Sequence, residues 1–427
     1  MSDPISARLA ARHPQRIDLS LDRIRRLLAA VGDPQKRLPP VVHVAGTNGK
    51  GSTVAFLRAM AEADGLRVHA YTSPHLVRFN ERIRLAGRLI EDDQLEAVLD
   101  RLEAVDGDIV ATVFEMTTAA AFLAMSETPA DLALIEVGLG GSLDATNVFD
   151  APRLSVITPV DLDHAEFLGT DLGGVAGEKA GILKAGRPAV VARQRDEAQA
   201  VIAARAEAVG ATVRCMGQDF DAWAERGRLA VQVEERLLDL PTPSLTGPHQ
   251  IANAGLAAAA ALELGLSEYA ISIGVRTATW PARMQRLATG PYAEQAKATG
   301  AEVWLDGGHN PHAARAVSDA LTQLDLRDPR PVALICGMLT SKDAAGFFEP
   351  LALHGAPVFT VPFEGACVPP EALAETARAA GLRSTAFATV EQALDAALAE
   401  GAGRVLICGS LYLAGEVLGA ARETWPV

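Results

Sequence analysis

Short apolar runs alternate with alanine- and leucine-rich amphipathic segments along most of the chain. The runs lack alternating polar positions, which is typical of strands buried on both faces of a parallel sheet. Alternation of such strands with helical segments predicts an α/β protein with doubly wound, mostly parallel sheets and helices on both sides. The predicted strands are 40–45, 131–137, 153–160, 187–192, 303–306, 331–337, 357–362 and 404–409. The predicted helices include 52–65, 91–105, 117–127, 249–265 and 372–381.

The alternation is interrupted near residues 280–300, where WPARMQR is followed by the glycine- and proline-containing stretch ATGPYAEQAKATG. A second strand–helix series begins at about residue 301 and continues to the C-terminus. A chain of 427 residues is long enough for two or three domains at about 150 residues each. We predict a larger, doubly wound domain over 1–283 and a smaller, Rossmann-like α/β domain over 284–427.

Charge and cysteine usage argue against several classes of protein. The chain has 39 Lys and Arg against 53 Asp and Glu, a net charge of −14, which disfavours general binding to nucleic acid or to anionic membranes. No run of about 18 uncharged apolar residues occurs, and charges are spread through the N-terminal segment, so neither a membrane span nor a secretory signal is predicted. The four widely spaced cysteines form no CxxC motif, which favours buried, reduced thiols in a cytoplasmic protein.

The stretch PVVHVAGTNGKGSTVAFL (40–57) has the order strand, glycine-rich loop, helix. Glycines in such a loop let backbone N–H groups turn towards a phosphate, and the helix N-terminus adds partial positive charge. Lys50 would reach the outer phosphates of a nucleotide, and Ser52 or Thr53 would bind Mg²⁺. The spacing of the glycines, and the extra glycine after the lysine, depart from the common G-x-x-x-x-G-K-[ST] motif. The alternative is a glycine turn capped by Ser52, and a phosphate loop alone does not identify the reaction.

Polar residues follow other predicted strands at the carboxyl edge, where ligands bind in open α/β sheets. Glu136 ends a buried strand and is a natural Mg²⁺ ligand opposite Ser52, the alternative being a carboxylate satisfied by a local hydrogen bond. His164 follows a strand together with two aspartates, and it is either a metal ligand or a solvated loop residue. Lys179, fifteen residues later, reads as a surface lysine when taken alone. Further candidates lie in TSPHLVRFNERI (72–83), TVFEMTTAAAF (112–122), VWLDGGHNPHAAR (303–315) and CGMLTSKD (336–343).

Together these stretches resemble the folylpolyglutamate synthase/dihydrofolate synthase family, whose members are relatives of the bacterial Mur ligases. The resemblance covers nearly the whole chain. Its motifs occur in family order as HVAGTNGKGS, YTSPHLVRFNERI, FEMTTAAAF, EVGLGGSLDATN, ITPVDLDHAEFLG, AGEKAGILK, GPHQIANA, WPARMQR, LDGGHNPH, GMLTSKD and GSLYLAGEV.

The resemblance implies an ATP-dependent amide ligase. ATP would phosphorylate a carboxylate, the amino group of L-glutamate would attack the acyl phosphate, and ADP and phosphate would leave. Many bacterial members join dihydropteroate to glutamate and also extend reduced folates. Both substrates are therefore expected, with a folylpolyglutamate synthase alone as the alternative.

The resemblance also implies roles for individual residues. Lys50, Lys179, His164 and Asp306 are expected to be catalytic. The triphosphate would be held by Thr47, Asn48, Gly49, Lys50, Gly51, Ser52 and Thr53. One Mg²⁺ would be bound by Ser52, Ser73 and Glu136, and a second by His164. Other contacts to ATP would come from Asn253, Arg283, Asp306 and His309, and the folate substrate would be bound by Arg82, Phe114, Asp144 and Ala145. Lys179 matches a lysine that the family carries as a carbamate, which turns a cation into an anion and overrides the surface reading.

One position departs from the family pattern, because GGSLDATN has Ser142 where many members have arginine. Any anion contact of that arginine is missing here, whereas the ligase assignment is unaffected. A Mur ligase of peptidoglycan synthesis is the nearest alternative enzyme, but the about 45 residues before Gly46 are too few for its UDP-binding domain. A phosphate-loop switch protein is an alternative of another class, and it would be expected to carry a guanine-reading NKxD motif, which does not occur.

The expected chemistry accounts for a second domain. Phosphoryl transfer needs charge neutralisation and positioning more than a nucleophile from the protein. An acyl phosphate must be protected from water, so the substrates are expected to meet between two domains with a hinge near 284–300. We expect a monomer, since no dimerisation element is evident in the sequence.

Overall fold

The computed structural model describes residues 3–14 and 19–427, which form two compact units. The first unit comprises the described residues up to Ser244 together with 251–279 and Val427. The second unit comprises 245–250 and 280–426. Each unit contains its own sheet.

An eight-stranded sheet forms the centre of the first unit. Its strands are β1 (Val41–Ala45), β2 (Val68–Tyr71), β3 (Ile83–Leu85), β4 (Arg88–Leu89), β5 (Leu132–Glu136), β6 (Leu154–Ile157), β7 (Pro188–Val191) and β8 (Thr212–Cys215). The spatial order is β4-β3-β2-β5-β1-β6-β7-β8, and all neighbouring strands are parallel except where β3 pairs with β2 and β4. The central strands β1, β2, β5 and β6 are buried along their whole length. The prediction of a mostly parallel sheet is confirmed, and β2 to β4 and β8 are additions to the predicted strands.

Helices cover both faces of this sheet. They are α1 (Pro4–Arg12), α2 (Asp22–Ala30), α3 (Lys50–Ala63), α4 (Asp92–Asp106), α5 (Val113–Glu127), α6 (Ala165–Leu168), α7 (Leu172–Ala180), α8 (Asp196–Val209), α9 (His249–Leu264) and α10 (Glu268–Thr277). One core joins α2, α4 and α5 to the sheet, for example through Leu27, Leu99 and Phe122. Another joins α7 and α8 to the sheet through Val175 and Ile202. Apolar burial on both faces explains why the strands read as continuous apolar runs.

Close packing of α10 against α3 fixes the helix that follows the phosphate loop. A Cβ atom built on Gly274 of α10 would lie 2.4 Å from the backbone nitrogen of Met60 in α3. No side chain fits at that distance, so glycine is required for the two helices to approach. This contact holds α3 against α10.

A separate three-stranded antiparallel sheet is the largest element that the sequence did not predict. It consists of β9 (Phe220–Glu225), β10 (Arg228–Val233) and β11 (Arg236–Leu240). The β9–β10 turn places Arg226 and Gly227 at φ +50° and +76°, the conformation of a tight hairpin. These strands are half exposed and carry polar residues, so they lack the apolar runs on which the prediction relied. The alternation in RLAVQV beside an Arg-Gly pair was the available signal.

The second unit has a six-stranded sheet with helices around it. Its strands are β12 (Gln285–Arg286), β13 (Glu302–Leu305), β14 (Val332–Cys336), β15 (Val358–Thr360), β16 (Ser384–Ala386) and β17 (Arg404–Cys408). Its helices are α11 (Pro291–Lys297), α12 (Pro311–Arg327), α13 (Ala344–Leu351), α14 (Pro370–Ala379), α15 (Val390–Ala399) and α16 (Leu411–Gly419). The order is β12-β13-β17-β14-β15-β16, with only β12 antiparallel to its neighbour. The prediction of a smaller α/β unit is confirmed.

All four cysteines are free thiols, with Cys367 half-buried and the other three buried. Within residues 3–14 and 19–427, no helix combines the length and the apolar character needed to cross a bilayer.

Candidate active site

The candidate active site of the first unit lies at the carboxyl ends of four adjacent strands. The four strands lie in the order β2-β5-β1-β6. Ser73 follows β2, Glu136 ends β5, the loop 46–49 follows β1, and the segment 158–164 follows β6. Parallel strands bring their carboxyl ends to one edge, which is where open α/β sheets bind ligands. The topology therefore gathers at one edge most of the residues that the sequence singled out in this unit.

Two glycines shape the phosphate loop. Gly46 has φ +144°, and a Cβ on it would lie 1.9 Å from Oγ1 of Thr158. Gly49 has φ +85°, and a Cβ on it would lie 2.5 Å from Oδ1 of Asn253. The loop is also tied to the segment after β6, because Thr47 donates through its N–H to the Pro159 carbonyl at 2.9 Å. A side chain at either glycine would displace the loop.

Helix α3 begins earlier than the sequence predicted. Its N-cap is Gly49, so Lys50, Gly51, Ser52 and Thr53 form the first turn, and the interpretation of Ser52 as a cap is wrong. The Lys50 ammonium folds back over the loop and donates to the carbonyl oxygens of Gly46 and Thr47, each at 3.1 Å. Oγ1 of Thr53 is buried and has no hydrogen-bond partner within the described chain. The first turn thus combines a lysine, hydroxyl groups and the positive end of a helix, which suits a polyphosphate.

Glu136 is a buried carboxylate at the end of β5. Its side chain is in the interior, and Oε2 accepts a long hydrogen bond of 3.4 Å from the Ser73 N–H. Carboxylate and hydroxyl oxygens are the ligands that Mg²⁺ prefers, so Glu136, Ser73 and the buried Ser52 fit a magnesium site by their chemistry. In the described part of the chain, no three His, Cys, Asp or Glu side chains converge on one point as a ready-made metal cluster.

His164 lies on an exposed turn after β6. Its backbone is left-handed, with φ +53°, and its N–H donates to Oδ1 of Asp163 at 2.8 Å. The imidazole Nε2 is 3.9 Å from Oδ2 of Asp163, and 40% of the side chain is exposed. The ring therefore lies beside one carboxylate at the surface of the unit, an environment compatible with either of the two interpretations made from the sequence.

Lys179 is buried, so the reading of this residue as a surface lysine is wrong. It lies in the last turn of α7 with only 5% of its surface exposed. Burial, reinforced by the Lys50 charge, lowers the pKa of Lys179 to about 7, although Asp163, Asp144 and Glu178 act in the opposite direction. Sequence reasoning missed the burial because a lysine is ordinarily solvated, and the apolar residues that follow it in GEKAGILKAG were not taken as a sign of burial. A buried lysine with a neutral amine is chemically distinct from the solvated ammonium of a surface residue.

The loop 138–147 packs against the turn that carries Lys179. Ser142 Oγ donates to the Glu178 carbonyl at 3.1 Å, and the Ser142 N–H donates to the same oxygen at 2.8 Å. A Cβ on Gly181 would lie 2.0 Å from Ser142 Oγ. The small residue at position 142 thus fills a close contact with the end of α7, which gives the departure from the family pattern a structural role.

Asp144 is the centre of hydrogen bonding within this loop. Its Oδ2 accepts the N–H groups of Gly138 and Leu139 at 3.1 and 2.9 Å, and its Oδ1 accepts the N–H and hydroxyl of Thr146 at 3.0 and 2.5 Å. Burial raises the pKa of Asp144, whereas these donors act to lower it. Ala145 is packed into the apolar core of the unit. The interactions of Asp144 in this structure are therefore with its own loop.

A buried histidine that the sequence did not single out completes this network. Thr146 Oγ1 donates to Asp144, so towards His43 Nε2, 2.9 Å away, it can only accept. His43 of β1 is therefore neutral with its proton on Nε2, in agreement with the strong lowering of its pKa, to about 3, by burial. The strand that leads into the phosphate loop is thus linked to the loop 138–147. A lone histidine within an apolar run gave no sequence signal of this role.

Phe114 and Arg82 border the same edge. Phe114 lies in the first turn of α5, which begins at Val113 and not at Thr117 as predicted, and a Cβ on Gly138 would lie 2.3 Å from its ring. Arg82 Nε donates to Nδ1 of His75 at 2.8 Å. Burial and the Arg82 charge lower the pKa of His75 to about 4.

A pocket of about 170 Å³ adjoins the phosphate loop through Asn253. Its lining is Pro159, Ala192, Arg193, Met216, Asp221, Ala222, Ala252 and Asn253. Arg193 and Asp221 form an ion pair of 2.7 Å, and the other members are small or apolar apart from Asn253. A mainly apolar slot beside a phosphate loop, with one amide and one ion pair in its lining, has the character of a site for a nucleotide base.

The second unit has its own cluster at the carboxyl end of β13. Asp306 is buried and accepts the N–H groups of Met284 at 2.8 Å and Gly308 at 2.7 Å. Arg283 donates to the Ala282 carbonyl at 2.8 Å, and His309 Nδ1 is 2.9 Å from the Gly307 carbonyl. Sequence analysis did not single out His249. Burial is the main cause that lowers the pKa of His249, and the charges of Asp306 and Arg283 also act on its ring. The motif GPHQIANA contained this signal, although only Asn253 was taken from it.

Comparison with known proteins places these features in a family. Residues 44–261 match the Mur ligase middle domain, and residues 283–411 match the glutamate ligase domain of Mur ligases. Dihydrofolate synthase/folylpolyglutamate synthase of Escherichia coli is 35% identical over 409 residues, which span 95% of this chain and 92% of that protein.

Solved structures give the same result. The structure of E. coli FolC in complex with DHPP and ADP has a TM-score of 0.87 and 33% identity and covers 97% of both chains. A bifunctional folylpolyglutamate synthase/dihydrofolate synthase with Mn, AMPPNP and L-glutamate bound has a TM-score of 0.85 and 34% identity and covers 98% of both chains.

Proposed function

Since the chain belongs to the dihydrofolate synthase/folylpolyglutamate synthase family of Mur ligases, we propose that it joins L-glutamate to dihydropteroate and to reduced folates. It is an ATP-dependent ligase of folate metabolism. The observation that carries the proposal is the arrangement of Lys50, the α3 N-terminus and the buried Glu136 at one sheet edge, in a chain similar over nearly its whole length to ligases of this specificity.

The reaction proceeds in two steps. A carboxylate oxygen of the pteroyl substrate attacks the γ-phosphorus of ATP, the bond to the β-phosphate oxygen breaks, and ADP leaves. The amino group of glutamate then attacks the acyl carbon, loses a proton and displaces inorganic phosphate. Lys50 and the N–H groups of the first turn of α3 stabilise the charge on the transferring phosphoryl group. The protein contributes positioning and electrostatics, and the nucleophiles are the two substrates.

Oxygen ligands from two strand ends and from the first turn of α3 would hold magnesium in this proposal. Ser52, Ser73 and Glu136 would bind one ion, and His164 would bind a second. Mg²⁺ would neutralise charge on the phosphate oxygens and so favour the in-line displacement of ADP from the γ-phosphorus. The Asp163 carboxylate, 3.9 Å from the His164 ring, orients this ring.

Lys179 is carbamylated in the active enzyme. Support comes from its burial and from the Lys50 charge, because a buried ammonium beside a second cation is unfavourable. A neutral amine reacts with CO₂ by forming an N–C bond and releasing a proton, which leaves an anionic carbamate. The anion is attracted to Lys50 and to magnesium, where the ammonium would be repelled.

The remaining predicted residues take part in substrate binding. Asn253 and its pocket hold the nucleotide base, and Arg283, Asp306 and His309 contact ATP from the C-terminal domain. Arg82, Phe114, Asp144 and Ala145 bind the folate substrate. We propose a domain boundary at residues 283–284, four residues into the second compact unit, which resumes at residue 280, with the following segment acting as the hinge.

The test is a product assay with purified protein. ADP and phosphate should form only when Mg²⁺, L-glutamate and a pteroyl substrate are all present, and comparing dihydropteroate with tetrahydrofolate decides between a bifunctional enzyme and a folylpolyglutamate synthase. Formation of AMP and pyrophosphate would contradict the acyl-phosphate route. Slow hydrolysis of ATP at a rate that does not depend on L-glutamate would favour a switch protein.

Replacing Glu136 with glutamine should reduce kcat/KM by about 10²-fold, as expected for loss of one preorganised electrostatic contact. Glutamine keeps the shape of the side chain and the acceptor for the Ser73 N–H but removes the charge. Titration with Mg²⁺ should restore only part of the rate. Glu207→Gln on the exposed surface of α8 is the control and should behave as the unmodified enzyme. Full activity of Glu136→Gln would remove this residue from the metal site.

The free thiols of all four cysteines suit a reducing compartment, so we propose that the enzyme acts in the cytoplasm. Its expected monomeric state is open to test by sedimentation velocity.

A further inference from the structure

A short hydrogen-bonded chain links the N-terminal helix to Arg82. Arg82 Nε donates to Nδ1 of His75 at 2.8 Å, and Nε2 of His75 lies 3.4 Å from Ser6 Oγ in α1. The Arg82 guanidinium also lies over the Phe79 ring, 5.4 Å from its centroid. These two contacts restrain the guanidinium from different directions.

The chemistry of the groups fixes the position of the proton on His75. A guanidinium has only donors, so Nδ1 must present its lone pair to Arg82. The proton of the neutral ring is then on Nε2, where it points to the Ser6 hydroxyl. A protonated ring would set two donors against each other, so the arrangement requires a neutral imidazole.

Other hydrogen bonds hold the surrounding loop without help from His75. The Glu81 carboxylate accepts the N–H groups of Leu76, Val77 and Arg78 at 2.8, 2.8 and 2.6 Å. Asp3 accepts the N–H of Phe79 at 3.1 Å and that of Ser6 at 2.9 Å, which ties the loop to the first turn of α1. Loss of the His75 side chain should therefore leave the backbone of the loop in place and affect mainly the side chain of Arg82.

We propose that His75 is a positioning residue for the pteroyl substrate, because it holds the Arg82 guanidinium in the orientation that receives an oxygen of that substrate. This inference rests on the proposed folate-binding role of Arg82. His75 does not contact the reacting atoms. Its acceptor nitrogen restricts the rotation of Arg82 about its side-chain bonds, so less conformational entropy is lost when the substrate binds.

Two amide substitutions test the position of the acceptor. His75→Asn places a carbonyl oxygen close to the position of Nδ1, whereas His75→Gln carries the amide one bond further, towards Nε2. His75→Gln should raise KM for dihydropteroate about 10-fold or more, the size of effect expected for one hydrogen bond to a charged group. His75→Gln should leave kcat and the KM for ATP within about twofold of the values of the unmodified enzyme. His75→Asn should keep kcat, the KM for ATP and the KM for dihydropteroate within about threefold of those values.

A double variant separates positioning from a structural role. Combined with Arg82→Ala, His75→Gln should add no further increase in KM, because it acts through the residue already removed. Thermal unfolding of each variant checks that the loop is intact. Equal increases in KM for ATP and for dihydropteroate, additive effects in the double variant, or failure of His75→Asn to preserve KM would each overturn the proposal.

The unmodified enzyme is assayed first with dihydropteroate and with tetrahydrofolate. If neither supports glutamate-dependent release of ADP, the proposed function fails, and the inference about His75 is overturned with it. If either substrate is used, the variants test the role of His75 alone.

Discussion

Replacing Lys50 with alanine is expected to reduce turnover by at least about 10²–10³-fold, the effect typical of losing a preorganised contact to charge that develops in the transition state. The Lys50 ammonium donates to two loop carbonyls and fills no part of the apolar core. The melting temperature should therefore change much less than it does when a core residue is truncated. Steady-state kinetics and thermal unfolding of the same preparation provide both measurements.

Two further substitutions sharpen the result. Lys50→Arg keeps the charge but has a planar, longer head group, so it should also be strongly impaired. Lys36→Ala removes an exposed lysine that pairs with Asp33 on the surface, and it should leave turnover unchanged. A fall in stability of Lys50→Ala comparable to that of a core variant would show that the lysine supports the loop itself.

Replacing Lys179 with alanine is expected to abolish most of the activity, because the proposed carbamate cannot form. In the unmodified enzyme, reactivation by bicarbonate should be faster at pH 8 than at pH 6. A pKa of about 7 leaves the amine mostly neutral at the higher pH and mostly protonated at the lower one, and only the neutral form attacks CO₂. Carbon-13 NMR of enzyme equilibrated with labelled bicarbonate provides a readout independent of turnover.

Lys184, which is half-buried five residues later, is the matched control for this experiment. Lys184→Ala should keep both the carbamate resonance and the activity, whereas Lys179→Ala should lose both. A short carboxylate added to Lys179→Ala should restore part of the rate. An active, magnesium-loaded enzyme with a bare ammonium at position 179, or normal turnover of Lys179→Ala, would refute the carbamate.

The strands that were predicted correctly from the sequence are those that form a continuous apolar run. Strands buried on both faces, such as β1 and β5, read as apolar runs because every position along them is buried. The hairpins β9 to β11 lie half in solvent, so their pattern is a weaker alternation and was not recognised. Burial on both faces favoured the prediction of a strand but did not guarantee it, because the short strand β2 is fully buried and was not predicted.

The placement of a candidate site residue was predictable when its own strand determined it, and not when it depended on contacts with distant segments. Glu136 was predictable because its strand fixes where the carboxylate lies. Lys179 and His43 depend on contacts with distant segments, namely the loop 138–147 in both cases, and local sequence carries no record of such contacts. The link from Arg82 through His75 to Ser6 likewise reaches a distant segment, because Ser6 lies 69 residues before His75.

The close approach of Gly49 to Asn253 has a consequence for how nucleotide selectivity can evolve. A single added methyl group at position 49 would collide with the amide of Asn253, the one uncharged polar side chain in the lining of the pocket beside the loop. In the proposed function the loop holds the triphosphate and Asn253 contacts the base, so changes at these two positions would be coupled. A substitution of Gly49 would require a compensating substitution of Asn253, so the two positions are expected to change together during evolution.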